Sequence, residues 1–415
     1  VLNPKFIKPK YNERCFADIP ATIKSLLGES TPTSPLTAMP AEFLRRYDTV
    51  ILLFVDAFGW SFFNRHRTEY PFLQRFAENA PGAALKLTAQ FPSTTAAHVT
   101  AIHTGLPPAQ SGVYEWQYYE PKLDAIIAPL LFSFYGTKER DTLLPTGIDP
   151  RAILPTQTIY SDLNALGVES HIFQYRAYTP STYSDVVFHG ATVHPYGTFS
   201  EALVNMCTMI ENAAAPSYFF MYFPQIDSVC HEYGPDSAQV AAEIDTFFTA
   251  LERLFAAPLE GKTKNTLLMV TADHGQMLVN PETTIYLNRD PRFTGIERFI
   301  KRNGGNELLV PAGSPRDMFL HIKEDLLDEA HHFLQKGLSG VADVVKTADL
   351  IAAGYFGAEP PSRTFMARVG NLVILPYENQ TVWWYEKDRF EMKFRGHHGG
   401  LSPQEMEIPL LLYRF

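Results

Sequence analysis

Thr49-Val50-Ile51-Leu52-Leu53-Phe54-Val55 is an unbroken apolar run rich in β-branched residues, and Asp56 ends it. A surface helix or a half-exposed strand would break such a run with polar residues at every third, fourth or second position. Its length and composition instead fit a strand covered on both faces, as in a parallel sheet. Tyr218 to Phe223 and Thr266 to Val270 read the same way, and Ile408 to Tyr413 is expected to join the same core. Segments with helical patterning lie between and beside these runs: Ala96 to Thr104, Thr198 to Ala213, and Ser237 to Ala256. Strands alternating with helices predict an α/β fold with a doubly wound, largely parallel central sheet and helices on both faces. Ser30 to Pro40 reads as a surface loop before the first core strand. The rhythm weakens over 118–156 and again over about 279–385. The second stretch is expected to be a cap-like insertion within a single domain spanning 1–415.

Composition narrows the classes. Hydrophobic residues make up 46% and charged residues 19%, as in ordinary globular proteins and unlike disordered ones. The net charge is −10 without a run of Lys or Arg, so no nucleic-acid-binding patch is expected. An acidic chain that handles an anion must place positive charge locally, and bound metal ions do this. Cys15, Cys207 and Cys230 form neither a disulfide framework nor a metal knuckle. No apolar run is long enough to span a membrane. The opening residues show no basic patch followed by an apolar stretch, so a cytoplasmic location is expected.

Asp56, Asp227 and Asp273 each follow an apolar run, and in a parallel sheet all three would meet at the carboxyl edge, where ligands bind. Each alone reads more readily as a helix cap or turn residue. Their neighbours shift the balance. Asp273-His274-Gly275 puts an oxygen and a nitrogen donor side by side, and Asp227 and His231 stand four residues apart, one face of a helical turn. His398 lies in Gly396-His397-His398-Gly399-Gly400 and reads either as a ligand or as a solvated loop histidine. Oxygen and nitrogen donors without thiolate suit zinc or manganese. In Phe91-Pro92-Ser93-Thr94-Thr95-Ala96-Ala97-His98 a hydroxyl cluster precedes a helix. It reads as an N-cap or as a nucleophile at a phosphate-binding helix start.

In sequence order, the segments Leu52 to Gly59, Phe91 to Gly105, Gln225 to Gly234, Thr271 to Gly275 and Gly396 to Pro409 resemble the alkaline phosphatase superfamily. The likeness is to its type I phosphodiesterase/nucleotide pyrophosphatase branch. The resemblance implies hydrolysis of phosphate esters, most of all phosphodiester or nucleotide pyrophosphate bonds, with two divalent ions, zinc expected and manganese possible. One ion would be held by Asp227, His231 and His398 and the other by Asp56, Asp273 and His274, with Thr95 bridging towards it as nucleophile. Thr95 is selected because family nucleophiles stand ten residues before the glycine that Gly105 matches, with Thr94 as the alternative. The implied reaction is a double displacement through phospho-threonine on a small-molecule substrate.

Two departures stand out. Ala96-Ala97-His98 replaces the Phe-Pro-Asn that follows the threonine in nucleotide pyrophosphatases, and Ser111 to Trp116 lacks the family's phosphate-binding asparagine. Tyr114 and Trp116 are candidate substrate contacts, with core or cap packing as the alternative. Phosphomonoester or phosphonate hydrolysis and phosphomutase chemistry remain open. A sulfatase lacks its nucleophile setting here, and a non-catalytic binding module leaves the full ligand set unexplained.

Overall fold

The run that opens the core forms strand β1 (Thr49–Val55), buried along its whole length. In the computed structural model, which describes residues 2–30, 35–137, 139–214 and 216–415, six more strands join it. They are β2 (Ala83–Thr88), β3 (Glu169–Tyr175), β4 (Thr192–Tyr196), β5 (Ser217–Phe223), β6 (Thr266–Thr271) and β7 (Glu407–Arg414). Their order across the sheet is β2-β7-β6-β1-β5-β3-β4. From β6 to β4 all neighbours are parallel. The fold is α/β, as the strand–helix alternation predicts.

The three fully buried strands β1, β5 and β6 lie at the centre, where both faces are covered and a continuous apolar sequence is required. Their ends are level: Val55 pairs with Phe223, and Phe54 with Thr271. β7 runs antiparallel to both β6 and β2. Its start, and so the glycine-rich turn before it, therefore meets the carboxyl ends of the parallel strands. One strand of opposite direction brings His398 to the edge that already carries Asp56 and Asp273.

Four helices matter for the site and its frame. α1 (Thr95–Thr104) is buried from Ala96 onward and ends at Gly105, whose φ of 72° closes the helix. α2 (Phe199–Glu211) starts from a capping box of Thr198 and Glu201. α3 (Gln225–Tyr233) follows β5 directly and holds Asp227 in its first turn and His231 in its last. α4 (Ala238–Leu251) is capped by Ser237 and runs into a π-helical turn, Glu252–Ala256.

The region 279–385 has a core of its own around Leu287, Phe299, Leu334 and Trp383. Its antiparallel sheet joins Met318–Leu320, Leu372–Pro376 and Ala342–Lys346. Alternate residues divide between two cores: Met318, Leu320 and Ile374 face the inserted core, while Phe319, Val373 and Leu375 join the main one. Two buried ion pairs fasten the region, Arg316 with Glu405 and Arg368 with Glu120. In the other weakly patterned stretch, Tyr118–Glu120, Ala125–Ala128 and Ser133–Phe134 form a small antiparallel meander.

All three cysteines are buried and free. No described helix is long and apolar enough to cross a membrane. Of the loop expected at Ser30 to Pro40, Thr31, Pro32, Thr33 and Ser34 lie outside the described residues.

Candidate active site and metal centre

Asp56 follows the last residue of β1 and is 2% exposed. Ala57 then adopts a left-handed φ of 64°, a conformation unfavourable for a residue with a side chain. That turn directs the Ala57 amide at Asp273 Oδ1, 3.0 Å away. The same oxygen accepts the His274 amide at 3.0 Å. Asp273 Oδ1 is thus saturated, and Oδ2 is buried without a hydrogen-bond partner among the described residues. Asp56 repeats the pattern. Its Oδ2 accepts the Tyr222 hydroxyl, and its Oδ1 is buried without a partner among the described residues. Both free oxygens point at His274 Nε2, at 3.5 Å from Asp56 and 3.3 Å from Asp273.

The histidines complete this arrangement. His274 Nδ1 donates to the Gly275 carbonyl at 3.0 Å, His231 Nδ1 to that of Gly396 at 2.8 Å, and His398 Nδ1 to that of Ser93 at 2.9 Å. A carbonyl can only accept, so each Nδ1 carries a proton, and Nε2 is the ring nitrogen left to face a cation. His231 Nε2 lies 3.3 Å from Asp227 Oδ2, and His398 Nε2 lies 3.7 Å from Asp227 Oδ1. Lone pairs of nitrogen and carboxylate oxygen facing each other in a buried site repel unless a proton or a metal cation lies between them. Backbone acceptors behind ligand histidines are the usual way of fixing a metal-binding tautomer. The donor set therefore fits divalent ions.

Electrostatics agree. Burial, then the Asp273 and Asp227 charges, push the Asp56 carboxyl well above the ordinary range. Burial also raises Asp227, but the charge and hydrogen bond of His231, with His398 and His274, outweigh it and hold this carboxyl well below the usual value. Burial, then His274, push the His398 imidazole well down.

Among the described residues, two groups of donors come within 4.8 Å of one another: Asp56, Asp273 and His274, and Asp227, His274 and His398. The first is the expected set. In the second His274 stands where His231 was expected, because its ring stacks on His398 at 3.6 Å between centroids and 13° between planes. His231 stays in contact through Asp227, and its ring lies 5.1 Å from that of His398.

Thr95 is the first residue of α1, and its Oγ1 lies 3.2 Å from His274 Nε2. Thr94, the residue before the helix, is 2% exposed. His98 braces this turn: its Nδ1 donates to the Thr94 carbonyl and its Nε2 accepts the Gln90 amide, both at 2.8 Å. Ala96, Ala97 and His98 are all buried, so Thr95 is the one side chain in the first turn with an open face.

Tyr114 is no substrate contact. It is fully buried, stacked on Tyr118 at 5.1 Å and packed against Phe319 and Phe365, which is the core packing weighed as the alternative. Trp116 is 42% exposed. Sequence reasoning missed Tyr222, Gln276 and Ser93. Gln276 Nε2 donates to Asp227 Oδ1 at 2.6 Å, and Ser93 Oγ donates to the Gly400 carbonyl at 2.8 Å. Gln276 sits three residues beyond Asp273, a position that could have drawn notice. Ser93 acts chiefly through its backbone. Two glycines are required by close approach. A Cβ on Gly275 would meet the Gln404 carbonyl at 2.1 Å, and one on Gly399 (φ 124°) the Ser314 hydroxyl at 2.4 Å.

The family model "Type I phosphodiesterase / nucleotide pyrophosphatase" matches residues 50–401. No curated protein sequence matches. Among solved structures, murine ectonucleotide pyrophosphatase/phosphodiesterase 5 is similar at TM-score 0.63 and 19% identity, covering 88% of this chain and 87% of its own. An inactive form of the murine protein in complex with AMP matches at 0.63 and 18%, with the same coverage of both chains. The human protein matches at 0.62 and 16%, covering 88% and 87%. At these identities the likeness carries the fold, and the family model carries the kinship: the chain belongs to the type I phosphodiesterase/nucleotide pyrophosphatase family, a family of metal-dependent hydrolases.

Proposed function

We propose that the chain cleaves phosphodiester or pyrophosphate diester bonds of small-molecule substrates through a phospho-threonine at Thr95. Asp227, His231 and His398 would hold one divalent ion, and Asp56, Asp273 and His274 the other, with His274 near enough to both to couple them. Zinc is the expected ion, and manganese is compatible with the same donors. When bound, the ions supply Lewis-acid stabilisation of charge on the attacking and departing oxygens. The observation that carries the reading is the Thr95 hydroxyl 3.2 Å from His274 Nε2, beside two buried carboxylate oxygens that lack partners.

The chain's own residues do the rest. Thr95 Oγ1 bonds to phosphorus and gives its proton to solvent, while the leaving group departs with the electron pair of the broken P–O bond. The first amides of α1 have no partner within the helix and are positioned for phosphate oxygens. Water then displaces Thr95 from phosphorus and restores the hydroxyl. A diester is favoured over a monoester because the dianion of a monoester calls for additional cations. No arginine lies between Phe91 and Lys122, and Thr94 stands where alkaline phosphatases carry an aspartate before the nucleophile. The AMP complex of the murine neighbour supports a nucleotide ester as one substrate type.

The test is kcat/KM for bis-p-nitrophenyl phosphate against p-nitrophenyl phosphate under identical metal conditions, with the diester expected to be preferred. Thr95→Ala should lose about a thousandfold or more of turnover with its metal content intact. Thr94→Ala should keep most of its activity. Monoester preference, or an active Thr95→Ala enzyme, would overturn the reading.

A further inference from the structure

Of the three carboxylates at the site, Asp227 is the one held by a side-chain carboxamide. Gln276 is 4% exposed and stands between the Gly275 turn and the short strand Met277–Leu278, which pairs with Gly396–His397. Its Nε2 donates to Asp227 Oδ1 at 2.6 Å. An ionised carboxylate can only accept, so the end of the amide that faces it is the nitrogen. The other end, Oε1, rests against Gly396, where a Cβ would come within 3.0 Å of it, and it is buried without a hydrogen-bond partner among the described residues. A buried carbonyl left unsatisfied costs stability that an apolar side chain of similar size would avoid. Packing alone therefore does not account for glutamine at this position. Its contact with Asp227 does.

That contact falls on a coordinating oxygen. Asp227 Oδ2 faces His231 Nε2 at 3.3 Å, and Oδ1 faces His398 Nε2 at 3.7 Å. An ion shared by the two imidazoles would meet both oxygens of this carboxylate, and Gln276 engages one of them. Asp56 and Asp273 are treated alike: the Tyr222 hydroxyl takes Asp56 Oδ2, and the Ala57 and His274 amides take Asp273 Oδ1. Each carboxylate thus keeps one oxygen engaged and one open. Divalent ions differ in what they need from such a donor. Zinc is satisfied by a tetrahedral shell, whereas manganese and calcium take octahedral or larger shells rich in oxygen, which a chelating carboxylate helps to fill.

Resting on the two-ion phosphodiesterase reading, we infer that Gln276 is a positioning residue that sets metal preference at the Asp227 site. By engaging Oδ1 it keeps Asp227 to one coordinating oxygen and so disfavours ions that require an oxygen-rich shell. Without the amide, both oxygens are open to one ion. Chelation then adds a ligand for manganese or calcium and brings zinc little.

The experiment measures zinc and manganese affinities of metal-stripped wild type, Gln276→Leu and Gln276→Met by competition with a chromophoric chelator, with no assay of turnover. Asp227→Ala identifies which of the two affinities belongs to the Asp227 site. Gln276→Leu should weaken zinc there about tenfold, the ordinary effect of losing an outer partner of a ligand, while manganese binding stays level or tightens. The zinc-to-manganese ratio at this site should therefore fall about tenfold or more, and the ratio at the Asp56 site should change by less than about threefold. Gln276→Met, which keeps the chain length without the donor, should behave as Gln276→Leu does. Cobalt gives a spectroscopic reading of the same change: its visible absorption, intense in a tetrahedral shell and weak in an octahedral one, should fall in both variants. Equal weakening of both ions, with a ratio within about twofold of wild type and an unchanged cobalt spectrum, would overturn the inference and leave Gln276 a support for the carboxylate, with the phosphodiesterase reading in place. A wild type that binds neither ion at the Asp227 site would take down both.

Discussion

Replacing Tyr222 with Phe removes a single oxygen from a fully buried contact, and the structure says what should follow. The hydroxyl donates to Asp56 Oδ2, which leaves Oδ1 facing His274 Nε2 as the oxygen available to a metal. The ring would stay in place, because it packs on Phe54 and the Tyr196 hydroxyl anchors the Tyr222 carbonyl at 2.6 Å. The substitution therefore probes carboxylate orientation with little disturbance of β5. A hydrogen bond to a charged group contributes about 1.5–3 kcal/mol. At about 1.4 kcal/mol per factor of ten, that corresponds to metal binding weakened about ten- to hundredfold at the ion held by Asp56. Competition against a chromophoric chelator reads each affinity without any assay of turnover. One site should weaken by that amount, and the site of Asp227 should change by less than about threefold, in line with the small coupling expected beyond direct contacts. Unchanged affinity at both sites would show that Tyr222 does not orient Asp56 for a metal.

Two further predictions concern stability. Arg316, with no exposed surface, donates from Nε to Glu405 Oε1 at 2.9 Å and from Nη2 to Oε2 at 2.8 Å, and Glu405 Oε1 also accepts the Gly400 amide at 3.1 Å. Glu405→Gln should cost about 3–5 kcal/mol, by leaving a buried guanidinium without its counter-charge, and it should loosen the turn that carries His398; denaturant melts and metal affinity check both. For pH, burial holds His98, His103 and His321 neutral down to about 3, whereas an unfolded imidazole takes its proton near 6.5. The unfolded state then binds more protons between those values. Stability from these groups is complete above the unfolded pKa and is lost as pH falls towards 3, at up to about 1.4 kcal/mol per pH unit for each histidine. His103→Phe, among Phe188 and Phe220, should flatten a melting-temperature profile over that range relative to wild type, and an identical slope would refute the assignment.

The central strands were legible because burial on both faces leaves them no polar positions. β1 begins and ends where its apolar run does, and β5 and β6 extend theirs by one residue. β2, β3 and β4 escaped notice for the converse reason. β2 and β4 are the edges of the sheet and are largely half-buried or exposed, and β3 mixes Glu169, Ser170, His171 and Gln174 into its length. The helix at Ser237 was legible to its cap, but its end was not: the chain passes at Glu252 into a π turn that keeps helical patterning without α-helical bonding.

At the site, the residues that were legible carry chemistry in their side chains, and the missed ones work through position. Asp56, Asp227, Asp273, His231, His274 and His398 draw attention as donors. Tyr222 reads only as one more apolar residue of β5, because nothing in its neighbourhood marks the hydroxyl as facing the end of β1 one strand away. The grouping of the histidines was also hidden. β7 is the one strand of the central sheet that runs opposite to the other six, and no local pattern announces direction, so the stack of His398 on His274 could not be read from spacing. The tautomers lie deeper still. The carbonyls of Ser93, Gly275 and Gly396 fix all three rings, and every residue type has a carbonyl. Part of what prepares these imidazoles for a metal is therefore built from backbone, which folds into place with β2, β6 and β7 and leaves no mark in the amino-acid alphabet.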